Sequence, residues 1–272
     1  IKNGSINFNS VDVRFLFDDL GNPVDIFLKK PIDTNNLIEE FMLLANKTVS
    51  KHISSIKKEL IPFVYRVHDV PNNEKISDLN NVIKKFGYSL NSSSSKKLSL
   101  SINSLLKNIS GKEEEKMIET LIIRSMAKAI YSTDNIGHYG LNFKYYSHFT
   151  SPIRRYPDLV VHRLLFSHLE KSSFKNNTNL SFICKHCSEM EKMASQAERD
   201  SIKFMQVKFL QNKIGEVYEG VVSGVTEWGL YVEIVENKCE GLVKVSSIKD
   251  DHYIYNEKKY TLIGYRTKIS YQ

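Results

Sequence analysis

The spacing of apolar positions changes period several times along the chain. Residues 11–17 and 24–28, VDVRFLF and VDIFL, alternate around a turn that holds Asp18, Asp19, Gly21, Asn22 and Pro23. Alternation on both sides of such a turn predicts an antiparallel hairpin. The two aspartates read more simply as turn residues than as metal ligands. In DTNNLIEEFMLLANKTVSKHI the period becomes helical, with Leu37, Phe41, Leu44 and Val49 recurring and Asp33 or Thr34 able to cap the start. Residues 72–111 are polar and predict short helices around a flexible loop, NSSSSKK, at 91–97. KEEEKMIETLIIRSMAKAIYS predicts a strong helix whose core face carries Met117, Leu121, Arg124 and Met126. One long helical pattern covers 178–213, and Gly215 ends it. Beyond it, GEVYEGVVSGVTEWGLYVEIVENKCEGLVKVSSI alternates and is rich in β-branched residues, which predicts a small β-barrel. The expected fold is therefore α+β, with one domain over 1–213 and a second over 214–272.

One stretch fits this pattern awkwardly. SHFTSPIRRYPDLVVHRLL places Arg154 and Arg155 at the entrance to a helix, where the dipole favours acids. Either Thr150 or Ser151 caps a helix beginning at Pro152, or SPIRR is an approach loop and the helix begins near Pro157. Both versions put two guanidiniums beside free backbone N–H groups, an arrangement suited to gripping phosphate. The competing reading is a surface arginine pair bound to acidic neighbours. Across residues 143–163, Lys144, Arg154, Arg155 and Arg163 face a single acid, Asp158. Phe143, Tyr145, Tyr146, Phe149 and Tyr156 interleave with them, as phosphate contact plus base stacking would require. At least half of these aromatics are expected in the core. His138, His148 and His162 raise the alternative of histidine acid–base chemistry, although hydrogen bonding within the fold is the simpler role for them.

Composition narrows the class. The 272 residues carry a net charge of +7, with 41% apolar and 25% charged residues and a pI near 9.1. A basic, soluble chain favours a polyanionic partner. No stretch has the length of a membrane span, and IKNGSINFNS is neither a signal nor a transit peptide. It begins without Met, so a piece of a longer chain is expected. Three cysteines make no disulfide framework, which points to a reducing compartment, the cytoplasm. Cys184 and Cys187 form half a zinc site, but buried thiols are the stronger reading.

YSHFTSPIRRYPDLVVHRLL, preceded by GHYGLNF, resembles the signature of the RNB family of exoribonucleases, the ribonuclease II and ribonuclease R group. The likeness extends through LIEEFMLLAN, FVYRVHDVPNNEKI and AERD. Residues 214–272 resemble an S1 RNA-binding domain, a small OB-fold barrel. The resemblance implies processive 3′-to-5′ hydrolysis of single-stranded RNA to nucleoside 5′-monophosphates with Mg²⁺, by a monomer that needs no membrane. It implies that Arg154 stabilises the scissile phosphate and that Arg155 contacts phosphate or packs. It also implies that Glu39 or Glu40 reads ribose, that Glu198 lies near the leaving nucleotide, and that Phe8 stacks on a terminal base. Tyr156 joins the RNA contacts, and Trp228, Tyr231 and Lys244 are expected on the barrel's RNA face. The sequence departs from the family at the metal site. The family's aspartates form a motif of roughly DxxxxxDxDD type, and no such run occurs here. YRTKISYQ also stops before a barrel would close. The expectation is the C-terminal part of the catalytic domain plus most of S1, gripping RNA and cutting poorly alone. The alternative from a different class is a non-catalytic RNA-binding module.

Overall fold

The computed structural model describes residues 4–6, 12–56, 62–112, 114–170, 179–256 and 261–271. Its elements are, in order, β1 (Asp12–Phe17), β2 (Pro23–Lys29), α1 (Asp33–Ser55), β3 (Tyr65–Val67), α2 (Asn73–Ile83), α3 (Ser95–Ile109), α4 (Glu115–Ser125), β4 (Ile130–Ser132), α5 (Tyr156–Leu169), α6 (Leu180–Gln211), β5 (Gly220–Thr226), β6 (Gly229–Ile234), β7 (Glu240–Lys244), β8 (Tyr253–Asn256), β9 (Thr261–Gly264) and β10 (Ser270–Tyr271). Residues 1–8, 31–111 and 121–196 make one compact unit, and residues 9–30, 112–120 and 197–272 make another. Among the described residues no helix is long and apolar enough to cross a membrane.

In the first unit, helices surround the short antiparallel pair β3–β4. Ile53 of α1, Phe63, Val64, Tyr131 of β4, Val160, Val161 and Leu164 of α5, and Leu180 and Cys184 of α6 share one buried cluster. Burial pushes the Cys184 thiol up to about 11, so it is a neutral apolar group in that core. Three expectations need correction here. On α1 only Val49 of the recurring apolar residues packs against the core, while Leu37, Phe41 and Leu44 stay exposed; the buried positions are Asn46, Ser50 and Ile53. The predicted loop at 91–97 ends early, because Ser94 caps α3 by accepting from the Lys97 amide. The helix predicted over 112–132 stops at Ser125, and Ile130–Ser132 is instead a strand paired with β3. Its core positions are Ile118, Ile122 and Ser125, each one residue out from the predicted face.

In the second unit, β1 and β2 form the expected hairpin. Asp18 accepts from the amides of Leu20 and Asn22 and from the Asn22 side chain, and Gly21 takes a left-handed φ of 76°. Those donors hold the Asp18 carboxyl below its usual range, as a turn residue. Ile26 of the hairpin packs with Phe209 of α6 and with Cys239. Downstream, β5-β6-β7 and β8-β9-β10 are antiparallel three-stranded sheets. They share the buried residues Val225, Leu230, Tyr253 and Leu262.

Candidate functional site

The two arginines sit at the end of an irregular segment, residues 146–155, that is fixed by other elements. The Arg66 amide donates to the Tyr146 carbonyl at 3.0 Å. Ser147 Oγ donates to the Val64 carbonyl at 2.5 Å. The Phe149 amide donates to Asn46 Oδ1 at 2.9 Å, and the same Asn46 donates through Nδ2 to Tyr146 Oη. His162 Nε2 lies 2.8 Å from the Phe149 carbonyl, with its ring stacked on Phe149 at 3.9 Å between centroids. The buried face of α1 is polar for this reason: Asn46 satisfies the backbone of the arginine segment.

The segment leads into α5 by the second of the two predicted routes. Residues 151–155 are an approach loop, and Pro157 lies in the first helical turn. The Arg154 and Arg155 amides both return to the Ser151 carbonyl, at 3.3 and 3.0 Å. The side chains then part. Arg155, 19% exposed, donates through Nη2 to Asp158 Oδ2 at 2.8 Å, and Asp158 is fully buried. The same carboxylate oxygen accepts the Ser151 amide at 2.8 Å. Arg155 thus closes an internal ion pair across the first turn of α5, where a carboxylate suits the dipole. Arg154 points outward with Ile153 and Tyr156. Among the described residues its guanidinium has no hydrogen-bond or ion-pair partner.

Glu39 and Glu40 are exposed on α1 in the same unit. Glu198 is exposed on α6 and belongs to the second unit. Phe8 lies outside the described residues. In the second unit, Tyr231 and Lys244 share one sheet face. Lys244 pairs with Gly229, and Tyr231 follows Gly229 by two residues, while Leu230 between them turns into the core. Trp228 is 69% exposed at the adjoining turn, its carbonyl accepting from the Val245 amide. Gly229 is needed there, because a Cβ would lie 2.0 Å from the Val243 carbonyl oxygen.

A family model for the RNB domain matches residues 1–171. The chain belongs to the RNB family. A second model, the S1 RNA binding domain, matches residues 211–268 of this RNB-family chain. Relatives include ribonuclease R of Thermotoga maritima, 40% identical over 97% of this chain and 38% of the relative, and ribonuclease R of Aquifex aeolicus, 35% identical over 97% and 37%. The chain therefore spans little more than a third of the length of these curated relatives. Among solved structures, Mycoplasma genitalium RNase R in complex with ribose methylated single-stranded RNA aligns over 100% of this chain and 43% of its own, with TM-score 0.89 and 28% identity. Yeast Ssd1, a pseudonuclease, shares the fold at TM-score 0.68 and 24% identity, over 84% of this chain and 29% of its own.

The Mg²⁺ that RNB resemblance implies finds no fit in this part of the chain. Among the described residues no group of three or more His, Cys, Asp or Glu side chains could hold a metal ion. Asp158, the acid nearest the arginine loop, directs Oδ2 to Ser151 and Arg155.

His68, His138, His148 and His162 are engaged within the fold. His68 accepts the Gly140 amide at Nδ1 and lies 2.7 Å from the Ala127 carbonyl through Nε2, which fixes a neutral tautomer. Tyr131 Oη and His148 Nδ1 are 2.9 Å apart. Burial first, then the nearby His68 and Arg66, pushes His138 down to about 3; burial first, then Arg155 and Arg66, pushes His148 down to about 2. Neither can act as an imidazolium acid near neutral pH. In the unfolded chain both bind protons below their ordinary value of 6.5, but in the folded unit they do so only at far lower pH. Protons therefore favour unfolding, and stability falls as pH drops through 6.5. At pH 5 the loss is about 2 kcal/mol per histidine. Urea midpoints of the chain at pH 7 and pH 5 measure it, and His148→Gln is expected to flatten the slope. A midpoint that ignores pH over this range would contradict the buried neutral assignment.

Proposed function

We propose that this chain is the phosphate-gripping and RNA-binding portion of a hydrolytic exoribonuclease that degrades single-stranded RNA from its 3′ end to nucleoside 5′-monophosphates. The observation that carries this reading is Arg154, an exposed guanidinium without a partner among the described residues, on a loop whose backbone is held from several sides. Negative charge grows on the phosphoryl oxygens during attack, and a cation already in position lowers the energy of that state more than that of the ground state. In this proposal Arg155 holds the loop rather than the phosphate. Glu39 or Glu40 contacts ribose, Glu198 and Phe8 act near the leaving nucleotide, and Tyr156 borders the clamp. Trp228, Tyr231 and Lys244 hold the strand upstream, by stacking and by phosphate contact. The domain boundary near residue 214, the monomeric state and the cytoplasmic location belong to the same proposal.

A second reading, RNA binding without cleavage, draws on the likeness to a pseudonuclease fold and on the missing metal cluster among the described residues. A 5′-labelled single-stranded RNA incubated with the chain, in Mg²⁺ and in EDTA, separates the possibilities. The expected result is binding that weakens steeply with salt, with a log–log slope of about −0.7 per phosphate contacted, and no shortening. An EDTA-sensitive ladder receding from the 3′ end would mean that the chain completes a metal site. Absence of binding at low salt would overturn the RNA reading itself.

A further inference from the structure

The sheet β8-β9-β10 carries a cleft that the arginine clamp and the Trp228 face leave unused. It has a volume of about 490 Å³. Ile254 and Ile263, paired directly across β8 and β9, form its floor. They lie on the face opposite Tyr253 and Leu262, which enter the core. Tyr265 and Lys268 form its rim. Tyr265 is 67% exposed. Lys268 Nζ sits 5.3 Å from the Tyr265 ring centroid and donates to the Tyr265 carbonyl at 2.7 Å. An ammonium has three donors, so this bond leaves others for a ligand.

The rim is built rather than loose. Asp251 accepts the Arg266 amide, the Thr267 amide and Thr267 Oγ1, at 3.0, 2.5 and 2.7 Å through Oδ2. The Tyr265 amide donates to the His252 carbonyl at 2.8 Å, and the Gly264 amide to the Ile269 carbonyl at 2.8 Å. Arg266 Nη2 reaches the Asp250 carbonyl at 3.0 Å. Gly264 permits this closure, since a Cβ there would meet Thr267 Oγ1 at 2.5 Å and Asp251 Oδ2 at 2.7 Å. A fixed loop therefore presents one aromatic ring, Tyr265, and one cation, Lys268, above an aliphatic floor.

We infer that this cleft is a second stacking site for single-stranded RNA, with one base against Tyr265 and the flanking phosphate on Lys268. A π-face beside a cation recognises base and phosphate together without sequence preference. A rim fixed before binding has little conformational freedom left to lose. The inference rests on the RNA-binding reading proposed above, and its test separates the two.

The test titrates the 272-residue chain against a fluorescein-labelled single-stranded RNA by anisotropy, at several salt concentrations, with a fully paired duplex as a second probe. Tyr265→Ala is expected to weaken single-strand binding about 5- to 10-fold, the low end of one lost base stack, and to leave duplex binding unchanged. Tyr265→Phe keeps the ring and should bind within about twofold of the parent. Lys268→Ala should reduce the log–log salt slope by about 0.7. Phe and Lys268 variants keep the question answerable if the Ala variant folds poorly. If Tyr265→Ala and Lys268→Ala both bind like the parent, the site is overturned while RNA binding stands; an apolar peptide would then be the better occupant. Equal loss in the Ala and Phe variants would also overturn it, because the ring would not be the contact. If the parent chain binds no RNA, the underlying reading falls and this inference with it.

Discussion

Arg154→Ala, placed in a full-length RNB-family protein carrying this segment, is expected to lower the single-turnover rate about 100-fold or more at saturating RNA, the scale of one lost transition-state donor. The loss should fall on the rate rather than on binding, because in the proposed function RNA would keep its other phosphate and base contacts. Arg154→Lys should recover only part of it, since an ammonium lacks the planar fork that meets two phosphoryl oxygens at once. Normal turnover in the Ala variant would remove Arg154 from the chemistry. Its neighbour supplies the control: a residue tied to Asp158 is expected to act through folding, and its loss should appear first in a denaturation curve.

Asp158→Ala should destabilise the first unit by about 3–5 kcal/mol, the usual penalty for removing one partner of a buried ion pair. The reason is specific. Arg155 is 19% exposed and would keep its charge without its counterion, and the Ser151 amide would lose its acceptor. Asp158→Asn keeps one oxygen for Ser151 and should lose less. Urea unfolding of the chain measures both, and a loss below about 1 kcal/mol, the range of an exposed pair, would show that the pair is not structural. Removing Arg155 and Asp158 together, with apolar replacements of similar size, should be milder than removing Asp158 alone.

Adjacent arginines look alike in a sequence, and only packing distinguishes them. The motif announced phosphate chemistry at Arg154 and Arg155 together; the buried carboxylate three residues on claims one and leaves the other exposed. Elements governed by local periodicity were legible: the β1–β2 hairpin, the extent of α1 and the single long α6. Features decided by distant partners were not. Asn46 and Ser50 face inward on α1 where a hydrophobic repeat suggested Leu37, Phe41 and Leu44. The position of Asn46 follows from the Tyr146 hydroxyl and the Phe149 amide, each about a hundred residues away. β4 is three residues long and exists because β3 accepts it, so local propensity extended the preceding helix over it. A polar residue inside LIEEFMLLAN was the available signal for Asn46, and the glutamates of the same motif drew attention from it.

The irregular stretch 146–155 has a consequence for how ligand arrives. Its amides and carbonyls are engaged by Asn46, Asp158, His162 and Arg66, and its Ser147 hydroxyl by the Val64 carbonyl, before any nucleic acid is present. Its freedom is lost when the unit folds rather than when a strand lands. On the proposed function, association at Arg154 would be a docking step set by encounter and steering, with residence time there depending on the strength of the contacts made and no slow loop closure to wait for.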